Sequence, residues 1–82
     1  MEYLLVNFER SRRVLIDGNP LGFTNAIIQL DAGRHTISLE VPPDFSPLTQ
    51  TVQVEATSAL DPLTVTFHRL PPSAIPPAPG TP

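Results

Sequence analysis

Proline at positions 20, 42, 43, 47 and 62 interrupts this chain too often for a long helix, because its ring removes a backbone donor and clashes with the preceding turn. Between the prolines, apolar and polar residues alternate with period two, the mark of half-buried strands. In Thr36-Ile37-Ser38-Leu39-Glu40-Val41 the apolar side chains fall on one face and the polar ones on the other. Leu63-Val65-Phe67 alternates against Thr64-Thr66-His68, and Val52-Val54 against Thr51-Gln53-Glu55. Leu4-Val6-Phe8, Val14-Ile16 and Ala26-Ile28-Leu30 supply the remaining inward sets.

The punctuation between these runs suits hairpins. Asp17-Gly18 after Val14-Leu15-Ile16 offers the positive φ angles of a tight turn. Asp31-Ala32-Gly33 fits a short loop with glycine in the left-handed region. About six or seven short strands then form an all-β fold, a small antiparallel β-sandwich or partly open barrel. Residues 1–70 are expected to make this domain, and residues 71–82, rich in proline, a disordered tail sampling polyproline II.

Size and charge exclude several functions. A single domain within 82 residues has a thin core and little room for a deep catalytic cleft. Without cysteine there is neither a disulfide framework nor a thiolate zinc site. A net charge of −3, with every basic residue an arginine, lacks the footprint of a nucleic-acid binder. No apolar run approaches the roughly 20 residues that cross a bilayer, and Met1 to Phe8 lacks the regions of a secretory signal. If the chain is complete, a cytoplasmic protein is expected; a fragment of an exported protein at the cell surface is the alternative.

Val14-Leu15-Ile16-Asp17-Gly18, Gly22-Phe23-Thr24 and Leu30-Asp31-Ala32-Gly33-Arg34-His35-Thr36-Ile37, in that order, resemble the PEGA domain. Its pattern reads V-x-V-D-G-x-x-x-G-x-T-P, L-x-x-G-x-H-x-V, a Gly-Tyr turn and a late V-x-V strand. Phe45 stands near the aromatic turn position, and Val52-Val54 match the late strand. The Pro-Glu-Gly-Ala stretch is replaced by Glu9-Arg10-Ser11-Arg12, the proline after the threonine by Asn25, and the glycine before the aromatic by Asp44. The resemblance implies a prealbumin-like sandwich, an accessory binding or spacing module of prokaryotic type, and no catalytic residues. Asp17, Gly18, Gly22, Thr24 and Gly33 read as turn chemistry, with Asp17 and Thr24 bonding to the backbone that follows them.

Other candidate chemistry is sparse. His35 and His68 are the chain's two imidazoles, candidates for pH-sensitive chemistry or metal binding, but they lack the third ligand of a catalytic zinc, so no metal or other cofactor is expected. Asp17, Asp31, Asp44 and Asp61 sit in turn contexts, and no nucleophile elbow or phosphate loop is present. The chain reads as a non-enzyme. Arg10, Arg12 and Arg13 form the one basic cluster, a solvated turn or, alternatively, a phosphate or carboxylate site. Strand phase turns Tyr3, Leu5, Leu15 and Ile27 outward, whereas the other strands put Thr, Ser, Gln and Glu there. That contrast marks a candidate surface for a protein partner or a homo-oligomer, unless a loop covers it or one strand is out of phase. The tail's proline spacings, Pro76-Pro77-Ala78-Pro79 and Pro79-Gly80-Thr81-Pro82, suit either a linker or an aromatic-lined groove. An interaction module is therefore the leading expectation; a small-ligand or carbohydrate binder using the end loops, and a passive spacer, are the alternatives.

Overall fold

The alternating segments pair into two sheets whose apolar faces meet. The computed structural model describes residues 1–71. Its strands are β1 (Glu2–Asn7), β2 (Arg13–Ile16), β3 (Asn19–Phe23), β4 (Ile27–Leu30), β5 (Gly33–Leu39), β6 (Phe45–Ser46), β7 (Gln50–Val54), β8 (Leu63–Thr66) and β9 (His68–Arg69). One sheet has the order β4-β1-β8 and the other β3-β2-β5-β7, while β6 and β9 make a short ladder. Residues 72–82, expected to be a disordered tail, lie outside the described residues.

The core follows from strand phase. Leu4, Val6, Ile28, Leu30 and Val65 of the first sheet pack against Val14, Ile16, Ile37, Leu39 and Val54 of the second in one buried cluster. Phe8, Phe45 and Phe67 extend the cluster at the end where β1 finishes. Their rings meet edge to face, at 6.2 Å for Phe8–Phe45 and 5.7 Å for Phe45–Phe67, the arrangement the ring quadrupole favours.

Three features differ from the sequence-based expectation. The strands exceed six or seven, because Asn19–Phe23 is a strand despite Pro20, and β6 and β9 add two-residue pieces. Proline is tolerated in β3 because β3 is an outer strand of its sheet, where a missing donor breaks no ladder. The sandwich is also not wholly antiparallel: β8 runs parallel to β1, with Leu4 opposite Leu63 and Val6 opposite Val65.

Gly22 is the third. It lies within β3 and not in a turn, and a Cβ there would come within 2.6 Å of Ile28 Cγ1 and 2.9 Å of Cδ1. Glycine is needed here so that Ile28 of the facing sheet can fill the space. Gly22→Ala is expected to destabilise the fold by about 1–3 kcal/mol through overpacking. Urea denaturation measures this, and an unchanged midpoint would mean that Ile28 can shift aside.

Candidate interaction surface

The motif residues close the two ends of the sandwich. Asp17 and Gly18 take φ of 53° and 85°, positive at both central positions of the β2–β3 turn, as a type I′ hairpin requires. Asp17 does not bond to the backbone just after it. Its Oδ1 accepts the Thr36 N–H at 2.9 Å and its Oδ2 lies 2.7 Å from His35 Nδ1. The other ring nitrogen, His35 Nε2, is 2.8 Å from the Asp31 carbonyl oxygen. The Thr36 N–H, and secondarily the His35 contact, hold the Asp17 carboxyl below its ordinary 3.8. Asp17, with the Asp31 carbonyl second, raises His35 above its ordinary 6.5 against the opposing effect of burial.

Thr24 works in the same long-range way at the other end. Its buried hydroxyl donates to the Arg10 carbonyl at 2.6 Å and accepts the Arg12 N–H at 2.8 Å. Next to it, Asn25 takes a φ of 63°. Its N–H donates to the Val6 carbonyl, and its side chain exchanges hydrogen bonds with the backbone of Phe8. Proline could supply neither the positive φ nor the donor.

Two of the three clustered arginines, Arg12 and Arg13, have partners within the domain, while Arg10 is exposed. Arg12 forms a two-pronged pair with Asp44, at 2.9 and 3.1 Å, and also donates to the carbonyls of Glu40 and Pro42. The two side chains are only 13% and 9% exposed, so water screens the pair weakly. Arg12 holds the Asp44 carboxyl below its ordinary 3.8, and its guanidinium also sits 5.4 Å from the Phe8 ring centroid. Arg13 pairs with Glu40 at 3.7 Å and stands 5.3 Å from the Phe23 ring centroid. The planar fork of Arg12 does recognise a carboxylate, and it is the domain's own.

The outward residues fall on two surfaces. Leu5 and Ile27 are direct cross-strand partners, and Tyr3 pairs with Gln29 on the same ladder. Leu15 belongs to β2, in the other sheet, where it pairs with Pro20 and Ser38. Tyr3, Leu5 and Ile27 are thus brought together, and Leu15 is not among them. Strand phase gives inward or outward but not which sheet. Leu21 and Phe23, at 54% and 49% exposed, were missed, because the bulge between Val14 and Leu15 breaks the alternation around them. Their neighbours Pro20 and Gly22 also read as loop. His35 and His68 do not meet: one is the third residue of β5, and the other pairs with Ser46 in the β6–β9 ladder. Among the described residues no three His, Cys, Asp or Glu side chains are grouped to hold a metal ion. Nor is any helix there long and apolar enough to cross a membrane.

The family model of the PEGA domain matches residues 10–69, from just before β2 through β9. The chain belongs to the PEGA domain family. No curated protein and no solved structure matches it. In this PEGA domain the Asp-Gly and Gly-x-His segments meet as the Asp17–His35 contact. Its departures from the family pattern also meet: Arg12, in the segment that replaces Pro-Glu-Gly-Ala, pairs with Asp44, which replaces the turn glycine.

Because those two departures pair, they are expected to be coupled. Arg12→Ala strands the Asp44 carboxylate and should cost about 3 kcal/mol. Asp44→Gly should cost less, since Arg12 keeps two carbonyl acceptors. The double variant should lose less than the sum of the two. Asp44's contribution is present above its ordinary 3.8 and lost as pH falls through its depressed value, so Arg12→Ala should also move acid unfolding to higher pH. Urea and acid denaturation of the four proteins measure both effects. Strictly additive losses would show that the pair is not coupled.

Proposed function

We propose that this PEGA domain is a non-enzymatic interaction module that docks a partner protein, or a second copy of itself, along the side of the sandwich bounded by β3 and β4. One observation carries the reading: Leu21, Phe23 and Ile27, exposed by 54%, 49% and 45%, all lie on these two strands. Leu5, opposite Ile27, continues the apolar surface on the first sheet, whereas Leu15 lies on the outer face of the second sheet. Grouped apolar exposure of this kind marks partner surfaces. The strands of the opposite side have a different character, although the loops before them expose Leu48 and Leu60. There β7 and β8 alternate their inward residues with Thr51, Gln53, Thr64 and Thr66, and the Gln50 side chain donates to the Thr66 carbonyl at 2.7 Å.

Strand addition is the mode this side supports. Among the described residues β3 and β4 are outer strands, each paired on one edge, and such edges are templates for another strand. Pro20 and the bulge blunt β3, which leaves β4 as the better template. The non-enzymatic part of the reading draws on the perturbed acids and bases. Glu2, Asp17, His35 and Asp44 are each held by partners inside the domain. The same surface serves a free-standing cytoplasmic protein or a module carried on an exported chain.

Sedimentation of the chain and pull-down from source-cell extract, each with three variants, test this. Phe23→Asp and Ile27→Asp are expected to keep the fold and abolish association, whereas Gln53→Asp on the far side leaves it unchanged. Equal effects from both sides would contradict the proposal. A second reading, as a small-ligand binder, draws on a groove of about 340 Å³ lined by Ile16, Asp17, Leu21, Leu30 and His35 among others. It predicts that a soluble ligand raises the melting temperature with no partner protein present.

A further inference from the structure

The stereochemistry around His35 imposes a condition on its proton. Both neighbours of the ring, the Asp17 carboxylate and the Asp31 carbonyl, are oxygens that only accept hydrogen bonds. A neutral imidazole has one N–H and one lone pair, so it can satisfy only one of them. The other contact, at 2.7 or 2.8 Å, would set lone pair against lone pair. Only the imidazolium, with a proton on each nitrogen, fits both oxygens.

These two contacts join separate loops. Asp17 sits in the β2–β3 turn, Asp31 in the β4–β5 loop, and His35 on β5 lies between them. We propose that His35 is a proton-dependent clamp that ties the β2–β3 turn to the β4–β5 loop while doubly protonated and releases one of them when it becomes neutral. Asp17, Asp31 and His35 line the same end groove as Asn19 and Leu21 of β3. Asp17 stays bonded to Thr36 through its N–H and Oδ1, so release loosens this end of the groove without detaching the turn. The charged groups that face the ring are Asp17 from the turn and Asp31 from the loop. Across the sheet, β7 offers Val52, which has no charge, and Arg34 is paired with Gln53 beside it. Met1, just before β1, lines the same groove.

The clamp has two limits in pH. His35 is raised above 6.5, so the clamp holds below that value and is lost as pH rises through the raised one. Asp17 is depressed below 3.8, so the clamp holds above 3.8 and is lost as pH falls through the depressed value. It therefore operates from acid to neutral pH. This chemistry is independent of whether a partner docks along β3 and β4.

Nuclear magnetic resonance of the intact chain tests it without any ligand. The ring nitrogens of His35 and the backbone amides of Asp17–Leu21 and Asp31–Gly33 are followed through an alkaline titration. The expected result is one common midpoint above 6.5 for the ring and both loops, with the Thr24, Asn25 and Asp44 amides unmoved. His35→Gln carries no titrating ring, so its loop amides should be insensitive over the same range. A His35 midpoint at or below the ordinary value would overturn the proposal. So would loop amides that stay still while the ring titrates, or that still titrate in His35→Gln. If that variant does not fold, the titration of the unsubstituted chain decides by itself.

Discussion

Burial of the inner faces of two small sheets against each other is the interaction on which everything else in this domain rests. Leu4 and Val6 of β1 and Val14, Ile16 and Ile37 of the facing sheet are almost wholly excluded from water. Each such side chain contributes about 1.5–3 kcal/mol on burial, but a domain of this size buries only about 60% of its unfolded surface. The two ends of the sandwich, where alternation runs out, therefore have to be closed by other means. One end is closed by the three phenylalanines with the Arg12–Asp44 pair. At the other, the Asp17–His35 contact joins a turn to a strand. The Arg12–Asp44 pair is mostly buried and nearly saturated with hydrogen bonds, as a poorly screened environment demands; at the other end Asp17 stays half exposed.

The same economy explains how the sides of the sandwich differ. A sheet that is not closed into a barrel keeps outer strands. Here β7 and β8 carry threonine and glutamine outward and are linked through Gln50. The β3–β4 side carries Leu21, Phe23 and Ile27 instead. Gly22 brings β3 close over Ile28, so these strands stand near one another and their outward side chains form one neighbourhood. Within the strands, exposed large apolar residues lie only on β3 and β4, whereas Val41, Leu48 and Leu60 are exposed singly in loops. That grouping is the physical basis for treating the β3–β4 side as the docking surface.

Much of this was legible in the sequence, and the misses have physical causes. Alternation identified the inward residues of β1, β2, β4, β5, β7 and β8 because each strand buries one face, but it also counted Ala26 and Val41, which lie beyond the strand ends and are exposed. It did not identify β3, where Pro20, Gly22 and a bulge break the period within five residues. It grouped Leu15 with Leu5 and Ile27 because phase carries no information about sheet membership. Asp17 and Thr24 were read through local turn chemistry, yet their partners lie 12 to 19 residues away. Arg12 and Asp44 are 32 residues apart, and the one sequence hint of their pairing was that both depart from the family pattern.

Photo-crosslinking from single positions distinguishes the β3–β4 side from the β7–β8 side as the docking surface. A photoreactive residue is placed at Leu21 or Ile27 on the proposed side, or at Gln53 or Thr64 on the other, in the intact chain within source cells. Docking along β3 and β4 predicts discrete crosslinked species from positions 21 and 27 and none from 53 and 64. Crosslinks of equal yield from both sides, or from 53 and 64 alone, would contradict it.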